Sequence, residues 1–249
     1  GLRIGVEGDA RMLTGASRFR IASTVVARAP GPWAELARLR PDSVTDKVLS
    51  LDAELSSHLV APQRLLDHGL EVITGVESSP RTRTKALYAS MKKAAAVAAE
   101  RAELSGLVED YQRLKRERGA VEFADQMGVA ADLARRVPEV SRALRDQFRV
   151  VLLDEYQDTS SAQAALLSAL FSGADEEQGR GFPVTAVGDP CQAIYGWRGA
   201  AAANIITFAT HFPRGDGSPA VDYALTVNRR SGQRILDAAN ALSAPLRND

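Results

Sequence analysis

The sequence is poor in the residues that disulfide frameworks and metal centres require. It has a single cysteine, Cys191, so no internal disulfide can form, and a reducing, cytoplasmic environment is the default expectation. The three histidines lie far apart in the chain and lack the spacing of metal ligands. Neither a disulfide-stabilised secreted scaffold nor a zinc-binding module fits this composition.

Net charge and long apolar segments are also missing. The 31 Lys and Arg residues balance 31 Asp and Glu residues, so there is no overall cationic signature for nucleic acid. No apolar run is long enough to cross a bilayer and no signal peptide is evident, so we expect no membrane partner. The hydrophobic content of 45% is that of an ordinary globular protein with one large or two modest domains.

The first part of the chain, to about residue 118, has the periodicity of helices. Apolar residues recur at helical spacing in three segments of this part, near residues 20–29, 45–68 and 84–117, and in a fourth just after it, near 122–136. Prolines 30, 32, 41, 62 and 80 punctuate them and predict helix boundaries. The segment 84–117 is long for a globular helix, so a break is expected near Ser105–Gly106.

The second part alternates between short apolar runs and helical segments. Residues 148–154, 183–189 and 223–227 are predicted as strands, although periodicity alone does not distinguish the first run from a buried helix. Helices are expected from Thr159 or Ser160 to about Phe171, near 200–211, and from about 231 to 242. This alternation predicts an α/β fold with a parallel sheet.

Two of these strands end in acidic residues. Asp154 and Glu155 close the first, and parallel strands of open α/β sheets bind ligands at their carboxyl ends. In a nucleotide hydrolase one acid can hold Mg²⁺ and the next can deprotonate the attacking water. An Asp-Glu pair alone is more often a solvated charge pair, so this feature is not decisive.

The run after the second strand is chemically more distinctive. Within residues 187–200 an amide (Gln192), two aromatic rings (Tyr195 and Trp197) and a cation (Arg198) stand among glycines. The amide can hydrogen-bond a terminal phosphate, and the rings are suited to stacking on unpaired bases. Core packing of the rings is the alternative, but core strands rarely mix glycine, charge and aromatics in this way.

A third motif follows the last predicted strand. Residues 225–231 carry adjacent arginines, Arg229 and Arg230, at an expected strand-to-helix turn. An arginine there could stabilise the charge of a terminal phosphate, although such a pair is more often a solvated surface.

Taken in order, the three motifs resemble the UvrD/Rep family of superfamily 1 DNA helicases. Asp-Glu-Tyr-Gln-Asp-Thr (154–159) is similar to its motif II, residues 187–200 to its motif III, and residues 228–231 with Ala239 and Asn240 to its motif IV. The chain is also similar here to actinobacterial recombination helicase–nucleases of the AdnA/AdnB type. The resemblance implies a partial RecA-like P-loop NTPase sheet with a mainly helical subdomain.

The resemblance implies roles at the nucleotide. Asp154 would bind Mg²⁺, and Glu155 would be the catalytic base. Gln192 would sense the γ-phosphate, and Arg230 would contact it as a finger-like residue. Gln157 would lie among the cofactor-binding residues, where nucleotide and DNA binding are coupled.

The resemblance also implies roles in DNA binding, and the chain departs from the family pattern in places. Tyr195 and Trp197 would stack on single-stranded DNA, with Arg198 nearby. Arg229 stands where the family usually has a tyrosine that stacks on adenine, so either a guanidinium plane would replace that ring or the stacking would be weaker. Pro190 and Cys191 stand where acidic residues are frequent.

The family resemblance predicts two domains. Residues 1–118 are expected to be the inserted helical subdomain called 1B, and residues 119–249 the second part of motor domain 1A. Residues 122–125 (Glu-Phe-Ala-Asp) match the acidic-aromatic segment where the chain re-enters the motor. A basic cluster (Arg81, Arg83, Lys85, Lys92 and Lys93) is expected either to contact duplex phosphates or to form a solvated helix face.

None of the five lysines follows a glycine, so the phosphate-binding loop Gly-x-x-x-x-Gly-Lys-Ser/Thr is missing from these residues. The resemblance implies an ATP-dependent 3′→5′ helicase of DNA repair or recombination, and the missing loop predicts that these residues alone are inactive. Its expected cofactors are ATP and Mg²⁺, and its expected partners are single-stranded DNA, duplex junctions and a helicase–nuclease subunit. The alternatives are a catalytically silent DNA-binding or scaffolding module and an unrelated α/β nucleotide-binding enzyme.

Overall fold

The computed structural model describes residues 11–31, 33–81, 87–196 and 199–247, with residues 246 and 247 described by their backbone alone. The chain divides into two compact units, residues 1–133 and 134–249. Helices dominate both units, and each contains one small parallel sheet. Among the described helices, none is both long and apolar enough to cross a bilayer.

The first unit is a helical bundle that also contains a two-stranded sheet. Its elements are β1 (Arg11–Met12), α1 (Gly15–Arg28), a 3₁₀ turn (Leu36–Arg38), α2 (Pro41–His58), α3 (Pro62–Glu77), α4 (Ala89–Glu117), β2 (Ala120–Val121) and α5 (Phe123–Arg136), within which the unit ends. Strand β1 pairs in parallel with β2, with Arg11 opposite Ala120. Helices α1, α2 and α4 enclose the apolar core.

Prolines set the helix starts as predicted, but the expected break in the longest helix is wrong. Pro41 and Pro62 occupy the first turns of α2 and α3, where the missing N–H has no intrahelical partner to lose. Helix α4 continues through Ser105–Gly106 without interruption. Its buried face, which includes Leu104 and Leu107, packs into the core, and this burial outweighs the cost of about 1 kcal/mol for a helical glycine.

A carboxylate of α4 fixes the loop that precedes α2. Glu103 accepts hydrogen bonds from the backbone N–H groups of Ala34 (2.8 Å), Glu35 (3.1 Å) and Leu36 (2.9 Å). Burial raises the pKa of Glu103, but these N–H groups lower it more, and the net shift is downward. The ionised carboxylate therefore stabilises the folded unit.

Replacing Glu103 with Gln is expected to lower the free energy of unfolding at pH 7 by about 1–2 kcal/mol, because a neutral amide accepts weaker hydrogen bonds than a carboxylate. The folded-state pKa lies below the unfolded value of 4.5, so the contribution is present above pH 4.5 and is lost as the pH falls through the folded pKa. Urea denaturation at several pH values checks this, with Glu109→Gln on the exposed face of α4 as the control. A difference that persists undiminished in acid would contradict it.

The second unit contains the predicted strand–helix alternation. Its elements are α6 (Pro138–Gln147), β3 (Val151–Leu153), a 3₁₀ turn (Tyr156–Asp158), α7 (Ser161–Phe171), β4 (Val184–Ala186), a second 3₁₀ turn (Pro190–Gln192), α8 (Ala203–Ile206), α9 (Phe208–His211) and α10 (Gln233–Arg247). Helix α6 had no counterpart among the predicted elements. Strand β3 pairs in parallel with β4, with Leu152 opposite Thr185, so the parallel pairing is confirmed.

The cap of α7 is confirmed, and Ser160 is the residue that provides it. The Ser160 hydroxyl accepts a hydrogen bond from the N–H of Gln163, whose side chain accepts one from the N–H of Ser160. The helix then runs to Phe171, the predicted end. The helix expected near 200–211 is instead two short helices, α8 and α9, separated at Thr207.

The predicted third strand, residues 223–227, is wrong. These residues have no regular secondary structure, and Leu225 is 88% exposed. A strand obtains its hydrogen bonds from neighbours, and no described segment pairs with this one. Strand β3 itself is covered on one face only, since Val151 and Leu153 pack on the apolar cluster around Tyr156 and Phe171 whereas Leu152 is 76% exposed.

Candidate functional site

The carboxyl ends of β3 and β4 meet at one edge of the sheet. The backbone pairing continues beyond the strands, because Val187 donates to Leu153 (2.8 Å) and Tyr156 donates to Val187 (3.0 Å). Asp154 and Glu155 therefore lie beside the segment that follows β4. This is the arrangement that acidic strand ends in a parallel sheet predict.

Glu155 has an unusual backbone conformation. Its φ angle is +49°, in the left-handed region that residues other than glycine seldom adopt. The chain turns here from β3 into the 3₁₀ turn Tyr156–Asp158, and the Asp154 carboxylate accepts a hydrogen bond from the N–H of Glu155 (3.0 Å). The side chains of both acids are exposed at the sheet edge. Strained backbone of this kind is concentrated at functional sites.

Hydrogen bonds join three of the predicted site residues. The Gln157 Nε2 group donates to Glu155 Oε2 (2.7 Å), and Gln157 Oε1 accepts from the N–H of Asp189 (3.1 Å). The Asp189 carboxylate in turn accepts from Gln192 Nε2 (2.8 Å) and from the N–H of Cys191 (2.9 Å). Glu155, Gln157 and Gln192 thus belong to one connected network, and Cys191 lies exposed beside it.

A second set of hydrogen bonds joins residues 154–159 to the chain that follows β4, and the sequence analysis did not predict it. The amide of Asn204 in α8 is buried and donates to the backbone oxygen (2.8 Å) and hydroxyl (3.1 Å) of Thr159. Ala201 also donates to Thr159 O (3.0 Å), and Ser160 forms a β-bridge with Ala200. The sequence marked Asn204 only by its position shortly after residues 187–200. An asparagine in a helical segment does not by itself indicate a functional residue.

The aromatic end of this segment is partly described. Tyr195 is exposed, and its backbone oxygen accepts a hydrogen bond from Ala200 (3.3 Å). Gly199 has a φ angle of +82°, which a residue with a side chain adopts only with strain. The intervening residues Trp197 and Arg198, both predicted DNA-binding residues, lie outside the described residues.

The predicted arginines are exposed. The Asn228 side chain accepts hydrogen bonds from the N–H groups of Arg230 and Ser231, both at 2.9 Å, and shapes the turn before α10. Within the described ranges, the side chains of Arg229 and Arg230 make no hydrogen bond or ion pair with the network around Gln157. The structure therefore joins Glu155 to Gln192, with Asp154 next to Glu155 in the chain, and its described part shows no such bond to either arginine.

Comparison with known proteins decides the family. The sequence model of the UvrD/REP helicase N-terminal domain matches residues 42–213, which span both compact units. The chain belongs to the UvrD/REP helicase family. This confirms the resemblance to the family, and the matched range includes residues 154–159 and 187–200 but ends before residues 228–231.

Curated relatives in the UvrD/REP helicase family carry the name ATP-dependent DNA helicase. PcrA of Leuconostoc citreum is 37% identical over 132 residues, PcrA of Staphylococcus aureus is 37% identical over 130, and UvrD1 of Mycobacterium bovis is 36% identical over 144. These alignments cover 53%, 52% and 57% of this chain but only 16%, 16% and 18% of the relatives. The chain thus spans less than a fifth of the length of the relatives it matches.

A Mg²⁺–ATP complex is compatible with the edge of this UvrD/REP domain. Mg²⁺ in nucleotide sites is commonly held by one or two carboxylates together with the phosphates and water. Asp154 offers one exposed carboxylate, a hard oxygen ligand, at the end of β3. Among the described residues there is no cluster of three or more His, Cys, Asp or Glu side chains that could hold a metal ion.

The acidic-aromatic segment of the UvrD/REP domain belongs to a buried ionic network. Lys115 is only 3% exposed, and its Nζ lies 3.1 Å from Asp52, 3.0 Å from Glu122 and 2.9 Å from Asp125. Arg18 also pairs with Glu122, and the Tyr111 hydroxyl donates to Glu122 (2.6 Å). Burial lowers the pKa of Lys115, but the three carboxylates raise it more. The sequence indicated Glu122 and Asp125 but not the lysine between them.

The basic cluster is only partly described. Arg81 donates to the backbone oxygen of Glu77 at the end of α3 (3.0 Å), and Lys92 and Lys93 are exposed at the start of α4. Arg83 and Lys85 lie outside the described residues.

Tyr156, the residue between Glu155 and Gln157, is fully buried and makes an edge-to-face contact with Phe208. Its hydroxyl finds no partner among the described residues, and burial raises the pKa of Tyr156 to about 12. Tyr156→Phe is expected to raise the free energy of unfolding by about 1 kcal/mol, because it removes an unpaired buried polar group.

Urea denaturation checks the Tyr156 prediction. The matched control is Tyr111→Phe, the same change at a hydroxyl that donates to Glu122, which is expected to be destabilising. Equal losses of stability in the two variants would show that the Tyr156 hydroxyl has a hydrogen-bonding partner.

Proposed function

We propose that these residues form part of the motor of an ATP-dependent 3′→5′ DNA helicase or translocase that acts in DNA repair or recombination in the cytoplasm. The observation that carries the proposal is the network joining Glu155 to Gln192 at the sheet edge. Family membership and the names of the relatives support it. On this reading, residues 1–118 are subdomain 1B and residues 119–249 are the second part of the RecA-like domain 1A.

The proposed chemistry assigns a task to each residue at the sheet edge. Asp154 would hold Mg²⁺, which neutralises charge on the phosphates when it is bound. Glu155 accepts a proton from the attacking water, and its exposed carboxylate is open to solvent for this purpose. Gln192 donates a hydrogen bond to the γ-phosphate, which requires its amide to leave Asp189 or to use its second N–H.

The exposed Arg229, Arg230 and Tyr195 have the proposed role of binding ATP or DNA, together with Trp197 and Arg198, which lie outside the described residues. Arg230 would stabilise charge on the γ-phosphate, and Arg229 would stack on the adenine ring. Tyr195 and Trp197 would stack on unpaired bases, with Arg198 beside them, at about 1–3 kcal/mol per base. An exposed Tyr195 is consistent with stacking on DNA.

Hydrolysis of ATP by the full-length polypeptide containing these residues, measured with and without single-stranded DNA, tests the proposal. Strong stimulation by DNA is expected. Unwinding of duplexes with a 3′ tail, but not with a 5′ tail, tests the direction. A folded, full-length protein without turnover would instead indicate a silent DNA-binding or scaffolding module. The 249-residue chain by itself is expected to show no turnover, since it contains no Gly-x-x-x-x-Gly-Lys-Ser/Thr loop.

The exposed lysines of α4 provide a test of duplex contact. Lys92→Glu with Lys93→Glu is expected to weaken duplex binding by the full-length polypeptide and to reduce the slope of log K against log salt by about 1–2, because each lysine neutralises one phosphate. Arg64→Glu, a charge reversal on α3, is the control. Unchanged affinity at low salt would show that the cluster is a solvated helix face.

A further inference from the structure

The Gln157 side chain lies in the interior of the proposed site. It is 1% exposed, and both polar atoms of its amide are engaged by protein. Nε2 donates to Glu155 Oε2, and Oε1 accepts from the N–H of Asp189. Because the side chain is buried and both polar atoms of its amide already bond to protein, in this arrangement it acts on the protein and not on a ligand.

The two partners of Gln157 belong to different motifs. Glu155 follows β3, whereas Asp189 follows β4 and orients Gln192 through its carboxylate. A continuous series of hydrogen bonds therefore runs from the Glu155 carboxylate through Gln157 and Asp189 to the Gln192 amide. Through this series, the segment after β4 is linked to the Glu155 carboxylate by the Gln157 amide.

Gly188 provides the space for this amide. A Cβ atom built at Gly188 would collide with Oε1 of Gln157, and it would lie 3.3 Å from the backbone nitrogens of Gln157 and Tyr156. The φ angle of Gly188 is not positive, so the lack of a side chain is required by space and not by backbone conformation. Any larger residue at position 188 must displace Gln157.

The Glu155 side chain needs such support. It leaves the backbone at a residue in the left-handed conformation, and its carboxylate lies at an exposed edge. A long, exposed carboxylate samples several rotamers unless a neighbour holds it. Among the described side chains, Gln157 is the one that donates a hydrogen bond to it.

We propose that Gln157 is a positioning residue that holds the Glu155 carboxylate in register with Gln192, and that Gly188 is the socket for its amide. This inference rests on the proposed function, because it takes Glu155 as the base and Gln192 as the phosphate sensor. Loss of register by about 1 Å can reduce a rate about a hundredfold without affecting substrate binding. The expected signature is a fall in kcat with little change in KM.

The test uses the full-length polypeptide with Gln157→Met, which keeps the length of the side chain and removes both hydrogen bonds. With saturating single-stranded DNA, kcat for ATP hydrolysis is expected to fall about 10- to 100-fold, with KM for ATP within about threefold. The concentration of sites is titrated with a fluorescent non-hydrolysable ATP analogue, so misfolded protein does not enter kcat. Gln163→Met, which removes a structural hydrogen bond from the α7 cap, is the matched control and should lower thermal stability without this fall.

A double-mutant cycle provides the second test. Gly188→Ala and Gln157→Met disrupt the same contact, so the double variant should be no slower than the slower single variant, whereas Gly188→Ala and Gln163→Met should act independently. The inference would be overturned if the double variant showed the product of the two single effects on kcat. It would also be overturned if kcat for Gln157→Met stayed within threefold of wild type.

Glu155→Gln, measured in parallel, separates the inference from the function on which it rests. An inactive Glu155→Gln beside a fully active Gln157→Met would overturn the inference alone. Continued hydrolysis by Glu155→Gln would show that Glu155 is not the base, and both conclusions would fall.

Discussion

Glu155→Gln in the full-length polypeptide is expected to lower kcat for DNA-stimulated ATP hydrolysis by about 10²- to 10⁴-fold. The amide has the shape of the carboxylate and can still accept the hydrogen bond from Gln157, but it cannot take a proton from water. Steady-state hydrolysis measured together with nucleotide affinity checks this, and the affinity should change by only a few-fold.

The control for Glu155→Gln is the same substitution at Glu176, an exposed residue of the loop between α7 and β4. It should leave kcat unchanged. A comparable loss in both variants would point to a general effect of removing negative charge, and Glu155 would then have no special role as a base.

Lys115→Met is expected to lower the free energy of unfolding by about 3–5 kcal/mol. The change is close in volume, but it leaves the carboxylates of Asp52, Glu122 and Asp125 buried or half-buried together, and among the described residues Arg18 is the cation that still pairs with one of them. Asp52 already has a raised pKa, because burial raises it more than Lys115 lowers it. Urea denaturation of the 249-residue chain at pH 7 measures the loss.

The pH dependence gives the Lys115 prediction a second readout. The folded-state pKa of Lys115 lies above its unfolded value of 10.5, so its contribution is fully present below pH 10.5 and is lost as the pH rises through the folded pKa. Wild type and Lys115→Met should therefore converge in strong alkali. Lys47→Met, the same change in the more exposed pair with Glu100, should cost only about 0–1 kcal/mol at pH 7.

Local sequence signals were sufficient for the elements that local chemistry determines. Pro41 and Pro62 begin helices because proline fits the first turn, and Ser160 caps α7 with its own hydroxyl. The parallel pairing of β3 and β4 was predicted from the alternation of strands and helices along the chain. In the structure this pairing places Glu155 and Gln192 at the same edge of the sheet.

Features that depend on distant partners could not be read from the sequence. The residues at 223–227 have the composition of a strand, but composition does not provide a neighbouring strand to pair with. The continuity of α4 at Gly106 depends on core residues from α1 and α2. A lysine in a helical segment is by itself no sign of burial. Lys115 pairs with Asp52, which is 63 residues away in sequence, and only the fold brings the two together.

The bridging amides illustrate the same limit within the site. Gln157 was assigned from the family resemblance, but its burial and its two protein partners became apparent only from the structure. Asn204 carries no motif signal, and its bond to Thr159 depends on the fold bringing α8 to the turn after Glu155. The sequence motifs thus predicted which segments form the site, whereas the hydrogen bonds of Gln157 and Asn204 that connect these segments required the structure.

The exposed thiol of Cys191 makes this site accessible to spectroscopy without engineering. It is the one cysteine of the 249 residues, and its backbone N–H is bonded to the same carboxylate that orients Gln192. A maleimide fluorophore or a nitroxide attached to Cys191 of the 249-residue chain would be one residue away from Gln192, the proposed phosphate sensor. Its emission or electron paramagnetic resonance line shape would report rearrangement of this turn in real time.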